Sequence, residues 1–149
     1  MATTEISYEQ DFYAWAIRNA ELLRQGRLSE VDAANIAEEL EDMGRSSRRA
    51  LSSRLEVLLA HLLKWSVQRD LRAIHLNSWR ATIKEQRRMV ARLLVENPSF
   101  KQDLPKVFRD SYEGAVNKAV AETNLPESTF PIECPFTLEQ TLEDAYWPD

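Results

Sequence analysis

The chain has 149 residues, of which 44% are hydrophobic and 29% are charged, and it carries a formal net charge of −5. A chain of this length can bury a hydrophobic core without the help of disulfides or metals. Its only cysteine, Cys134, excludes an intramolecular disulfide, and its three glycines are too few for an architecture rich in β-turns. No apolar stretch approaches the roughly 20 residues that cross a bilayer and no secretion signal opens the sequence, so we expect one helical domain, residues 1–149, in the cytoplasm and outside membranes.

The first predicted helix covers residues 8–25. The residues that line one of its faces recur at intervals of three and four, and Gly26 is suited to end it. These residues are Tyr8, Phe12, Trp15, Ala16, Asn19, Leu22 and Leu23.

A long helix is predicted over residues 29–69. Ser29 and Asp32 resemble a helix start, and a heptad-like seam of buried positions follows them. The seam comprises Ile36, Leu40, Met43, Ser47, Leu51, Leu55, Leu58, Leu62 and Trp65. Gly44 lies where the seam shifts by an extra four-residue step. We expect one continuous helix, because a lone glycine costs only about 1 kcal/mol, and a bend at residues 44–47 is the alternative.

The periodicity is lost over residues 66–77, which predicts a loop, and Asn77 or Ser78 is suited to begin a helix that ends at Glu96. Trp79 and Ile83 belong to its core-facing stripe. The sequence Asn97-Pro98 separates this helix from the next one.

The next predicted helix covers residues 105–123, with Pro105 in its first turn. Prolines then break the C-terminal segment, and Thr137 with Gln140 predicts a capping box for a short helix over residues 137–144. The predicted fold is therefore all-α, an antiparallel bundle of about four main helices with an irregular, Pro-rich C-terminal segment. We expect the aromatic residues of that segment to pack on the bundle.

Charge is unevenly distributed, and the basic residues are concentrated in the middle of the chain. Residues 45–92 hold twelve of the nineteen basic residues and three acids, a balance of +9, whereas residues 1–44 and 93–149 carry −7 each. Pairing within the long helix, such as Glu41 with Arg45, is expected to neutralise part of this charge.

The strongest candidate binding residues form a row on the helix over residues 78–96. They recur every four residues along about 18 Å, on the face opposite Trp79, with one further arginine beside them. They are Arg80, Lys84, Arg88 and Arg92, with Arg87 adjacent. A solvated or internally neutralised face is the simplest interpretation, and an acidic protein partner or nucleic acid are the alternatives. Tyr146 and Trp147 are suited to anchor a partner or a second copy, or to dock in cis.

No catalytic or metal-binding motif is present. The chain lacks a Gly-rich phosphate loop and a Glu-x-x-His pair, and no neighbouring base or cation activates Cys134. We interpret His61 as a hydrogen-bonded boundary residue, and we expect no cofactor, no metal and no catalytic residue. An unrecognised enzyme or metal protein that uses Glu38, Glu39 and His61 remains a third hypothesis.

Several short motifs resemble the bacterial family known as domain of unknown function 29. They are residues 8–15, Glu38-Glu39, residues 43–46, residues 61–65, Ser78-Trp79-Arg80, Phe130-Pro131, Cys134-Pro135 and Trp147-Pro148. The resemblance spans nearly the whole chain and implies a helical single-domain protein, but it implies no activity. From the residues themselves we expect an interaction module that binds a protein partner or self-associates, with nucleic-acid binding through residues 78–96 as the alternative.

Overall fold

A computed structural model of the chain describes residues 7–149, and within them it contains helices and no strand. The five α-helices are α1 (Phe12–Arg24), α2 (Ala33–Val67), α3 (Arg72–Glu96), α4 (Phe100–Thr123) and α5 (Leu138–Leu142). The chain divides into two compact units, an N-terminal unit that ends at Arg45 and a C-terminal unit, Ser46–Asp149. The all-α prediction is confirmed. No helix of the described residues is long and apolar enough to span a membrane.

Helix α1 has the capping expected of a short helix in water. The Oδ1 atom of Asp11 accepts a hydrogen bond from the backbone of Ala14 at 3.0 Å. At the other end Gly26 adopts a φ of +71°, and the N–H of Arg27 donates to the carbonyl of Leu22 at 2.9 Å. This left-handed turn satisfies carbonyls that the helix would otherwise leave unpaired, so Gly26 ends α1 as predicted.

Helix α2 is a single unbroken helix of 35 residues, which confirms the prediction of one helix over this segment. It begins after Asp32, whose Oδ1 atom accepts from the backbone of Asn35 at 3.4 Å, so Asp32 and not Ser29 marks its start. Gly44 lies inside the helix, and a methyl group added there would meet no atom within 4 Å. The glycine therefore serves no packing purpose that would require it.

Helices α3 and α4 both begin about five residues earlier than predicted. α3 starts at Arg72, so the predicted loop over residues 66–77 shrinks to a short 3₁₀ turn, Arg69–Leu71. Arg72, the first residue of α3, ties the two helices together, because its Nε atom donates to the carbonyl of Trp65 in the last turn of α2 at 2.6 Å. α4 starts at Phe100, which places Pro105 inside the helix and not in its first turn.

The C-terminal unit contains the hydrophobic core. Side chains of α2, α3 and α4 form one cluster, and it includes the buried residues Leu58, Leu62, Trp79, Ile83 and Phe108. The irregular segment after α4 closes over this core with Phe130 and Phe136, which are also buried. The predicted capping box of α5 is present, with Thr137 and Gln140 each bonding the other's backbone.

Candidate partner-binding surfaces

The basic row is exposed on α3, on the side of the helix away from the core. Arg80, Lys84, Arg88 and Arg92 are all exposed, whereas Trp79 and Ile83 are buried. Because a helix turns by about 100° per residue, positions four apart follow one another along the surface. The structure thus confirms the predicted sidedness of this helix.

Half of the row is neutralised by acids on the same helix. Arg88 pairs with Glu85 and Arg92 pairs with Glu96, each at an N–O distance of 2.8 Å. The hydrogen bond from Arg88 lowers the pKa of the Glu85 carboxyl group. Lys84, in contrast, forms no ion pair with any residue between 7 and 149. This arrangement agrees with the simplest interpretation of the row, an internally neutralised surface.

Trp147, in the C-terminal segment, contacts the basic side chains of α3 in its own chain. The guanidinium carbon of Arg80 lies 5.5 Å from the centre of the Trp147 ring, and that of Arg87 lies 5.4 Å from the same ring. On α2, Trp65 packs against Trp147 with ring centres 4.9 Å apart. A cation above an aromatic face is attracted by the ring quadrupole. Trp147 is therefore held by its own chain.

Hydrogen bonds from side chains to the backbone also fix the last residues. The Nε1 atom of Trp65 donates to the carbonyl of Pro148 at 3.0 Å, and Arg72 donates to the carbonyl of Asp149. The ring of Tyr146 packs edge-on against Phe136, with ring centres 6.4 Å apart. These contacts leave Tyr146 and Trp147 half-buried in the C-terminal unit.

Arg87 differs from the rest of the predicted set because it is buried, with 2% of its surface exposed. Its Nε atom donates to the carbonyl of Thr141 at 2.9 Å, and its Nη2 atom donates to the carbonyls of Gln140 at 3.2 Å and Tyr146 at 2.9 Å. Burial lowers the pKa of the guanidinium, and the nearby carboxylate of Asp144 opposes this effect. The expectation that Arg87 belongs to an exposed basic face is thus corrected.

The position of Arg87 on α3 explains this difference. It follows Ile83 by four residues and precedes Val90 by three, and both of those side chains are fully buried. Arg87 consequently lies at the border between the core stripe and the row. Its spacing from these two residues could have indicated its burial from the sequence. The carbonyls that accept its hydrogen bonds, however, lie in a segment more than fifty residues away.

In the N-terminal unit, polar contacts join α1 to the start of α2. Trp15 is buried, and its Nε1 atom donates to the Oδ2 atom of Asp32 at 2.9 Å. The backbone N–H of Asp32 donates to the side chain of Asn19 at 2.8 Å. Tyr8 packs edge-on against Trp15 with ring centres 4.8 Å apart. One face of α1 is therefore closed against the beginning of α2.

The remaining surface of this unit exposes large apolar side chains. Tyr13 and Ile17 lie one helical turn apart and are 76% and 47% exposed, respectively. They lie roughly opposite the buried face of α1, at about 100° per residue. The other exposed apolar residues of the unit are Phe12, Leu23, Leu28, Leu40 and Met43. The prediction that Leu40 and Met43 belong to a buried seam is therefore wrong, and the apolar surface is one that the sequence analysis missed.

Acidic residues outnumber basic ones in this unit. Residues 7–45 hold nine acids and four arginines. Arg45 pairs with Asp42 at 2.5 Å and with Glu41 at 3.6 Å, which confirms the predicted pairing within the helix. Glu39 accepts a hydrogen bond from the hydroxyl of Tyr8, and this bond raises the pKa of Tyr8 to about 12. The unit keeps a net negative charge after these pairings.

Two residues of the enzyme or metal hypothesis, Glu39 and His61, have structural partners. The Nδ1 atom of His61 donates to the carbonyl of Val57 at 2.9 Å, as expected for a boundary histidine. The buried Lys64 binds Glu122 at 2.5 Å. Burial alone would raise the pKa of Glu122, but the hydrogen bond and charge of Lys64 lower it. Between residues 7 and 149, no three His, Cys, Asp or Glu side chains lie together in a group that could hold a metal ion.

A family model described as "Domain of unknown function DUF29" matches residues 7–147 of the chain. No curated protein and no solved structure gives a match. The arguments about function therefore rest on the residues and contacts described above.

Proposed function

The chain belongs to the family of the domain of unknown function DUF29, and we propose that it is a helical interaction module whose N-terminal unit binds a protein partner. The observation that carries this proposal is the exposed apolar surface around Tyr13 and Ile17. A contiguous apolar patch on a protein surface marks an interaction site, and Tyr13 and Ile17, one turn apart on the outer face of α1, are suited to form one. Seven of the ten large apolar residues that are exposed in the described chain lie between Phe12 and Met43.

The charge around this surface indicates the chemistry of the partner. Nine acids and four arginines lie within residues 7–45, the part of the chain that also exposes Tyr13 and Ile17. Opposite charges steer two proteins together and fix their register, whereas buried apolar contacts supply most of the affinity. We therefore propose a partner that presents a basic, amphipathic helix.

The experiment measures the affinity of the purified chain for a synthetic amphipathic helix of leucine and lysine by fluorescence anisotropy. The double variant Tyr13→Ser/Ile17→Ser should bind about tenfold more weakly, the effect of losing roughly 1.4 kcal/mol of apolar contact. The control, Ile132→Ser, removes an apolar side chain that is 97% exposed in the other unit. It should leave the affinity unchanged. Equal affinities for the two variants would refute the proposal.

Self-association is the alternative form of this proposal. Sedimentation of the wild-type chain and the Tyr13→Ser/Ile17→Ser variant separates the two forms. If the wild type is a dimer and the variant is a monomer, the partner of this surface is a second copy of the chain. A wild-type monomer that binds the helical peptide supports the foreign partner.

Nucleic-acid binding through the basic row is a second proposal with less support. Arg88 and Arg92 are paired with acids on α3, and Arg80 contacts Trp147. Each internal contact reduces the gain from binding a phosphate. A cytoplasmic location also stays a proposal, based on the free thiol of Cys134.

A further inference from the structure

The surface of the C-terminal unit contains an open groove between α3 and the α5 region. It is lined by Lys84, Arg87, Arg88, Ala91, Leu142 and Asp144. Three of the six lining residues are cations, and one is an acid. Arg87 connects this groove to the interior, because its guanidinium is buried and yet lines the groove.

One nitrogen of the Arg87 guanidinium, Nη1, lacks a hydrogen-bond partner. It offers five N–H donors, and its Nε and Nη2 atoms are bound by three neutral carbonyls. The Nη1 atom is buried and has no hydrogen-bond partner. No carboxylate of residues 7–149 forms an ion pair with this side chain. Buried charges are otherwise paired, because an unpaired one is costly to remove from water.

The neighbouring carboxylates act on this cation without forming an ion pair with it. Arg88 is paired with Glu85, but Lys84 is exposed and lacks any acidic partner in the described part of the chain. Asp144 is exposed, and it lowers the positive potential of the groove without a hydrogen bond to Arg87. The carboxylates of Asp144 and Glu143 both act on Arg87, but neither forms an ion pair with it.

We propose that this groove binds a small oxyanion, either a phosphate or a carboxylate group. In the bound state Nη1 of Arg87 donates to the oxyanion and the ammonium of Lys84 contacts it from the solvent side. Because Nη1 is covered, one exposed lining side chain has to move as the ion enters. Lys84 is suited to this movement since no ion pair holds it. Ala91 and Leu142 would contact an apolar group attached to the anion.

The test follows the backbone and arginine side-chain NMR resonances of the full chain during titration with sodium phosphate or sodium butyrate at constant ionic strength. We expect saturable shifts at Arg87, Ala91 and Leu142. Lys84→Gln should weaken binding about fivefold, the effect of one exposed charge contact. The control Lys101→Gln removes the same charge from an exposed site on α4 and should not change it. Asp144→Asn should strengthen binding, because it removes the competing carboxylate.

The two titrations distinguish the sources of the oxyanion. Tighter binding of phosphate indicates a phosphorylated ligand, and tighter binding of butyrate indicates an organic acid whose chain contacts Leu142. Shifts that do not saturate, or equal losses in Lys84→Gln and Lys101→Gln, would show an unspecific ionic effect and overturn the proposal. A water molecule bound to Nη1 would give no saturable titration and would overturn it as well.

Discussion

Replacing Trp147 with alanine should destabilise the C-terminal unit by about 2 kcal/mol. Removal of a fully buried tryptophan costs roughly 3 to 5 kcal/mol, and Trp147 is only partly buried, so a smaller loss is expected. The lost contacts are those with Trp65 and with the guanidinium groups of Arg80 and Arg87. Urea denaturation followed by far-ultraviolet circular dichroism measures the change, because this signal does not depend on tryptophan fluorescence.

A double-mutant cycle isolates the contact between the basic row and the tail. Arg80→Gln combined with Trp147→Ala should show a coupling energy of roughly 0.5 to 1 kcal/mol, the value of an exposed cation–π contact. Arg92→Gln is the matched control, since Arg92 pairs with Glu96 and is not among the cations that contact Trp147. Its coupling to Trp147 should be close to zero. A loss below about 0.5 kcal/mol for Trp147→Ala would refute docking of the tail in cis.

Two further predictions concern glycine and histidine. Gly44→Ala should stabilise the protein to urea by up to about 1 kcal/mol because its helical site is open, whereas Gly26→Ala should destabilise it by about 1 kcal/mol because φ is +71°. A loss at Gly44 would contradict an unbroken α2. Burial lowers the pKa of His61 below its ordinary value of 6.5. As the pH drops below 6.5, the unfolded chain therefore binds a proton at His61 more readily than the folded chain, and the free energy of unfolding should fall. Urea titrations of His61→Gln between pH 5 and about 7 should lack this fall. The same dependence of unfolding free energy on pH in the variant and the wild type would contradict the lowered pKa of His61.

The periodic stripes predicted the C-terminal core correctly. Leu58 and Leu62 on α2 and Ile83 on α3 recur at helical intervals, and all three are fully buried. Helical periodicity identifies a buried face when each stripe meets another one. The same logic failed at Leu40, which continues the seam of α2 but is 62% exposed. Periodicity therefore identified a face of the helix, but it did not show whether anything covers that face.

Helix starts were predicted less well because their stabilisation is not local. Neither α3 nor α4 has a side-chain cap at its first turn. The start of α3 is joined to the end of α2 by the bond from Arg72 to the carbonyl of Trp65, a contact that no capping pattern signals. Rules based on capping residues therefore placed this start too late. By contrast, Asp11 and Thr137 cap their helices through neighbouring residues, and α5 with its capping box was predicted correctly.

The candidate sites were only partly predictable for the same reason. The exposure of Arg80, Lys84, Arg88 and Arg92 follows from spacing alone. The burial of Arg87 depends on carbonyls supplied by residues 140–146, which no short-range pattern connects to α3. The single-domain organisation of the chain stays a prediction.

The most direct test of the proposed interaction surface is site-specific photo-crosslinking in the native host. A photoreactive phenylalanine analogue replaces Tyr13 in one strain and Ile132, an exposed residue of the other unit, in a second strain. We predict a crosslink to one basic protein from position 13, absent at position 132 and lost when Ile17→Ser is added. Crosslinks of equal yield from both positions, or none from position 13, would contradict the assignment of this surface.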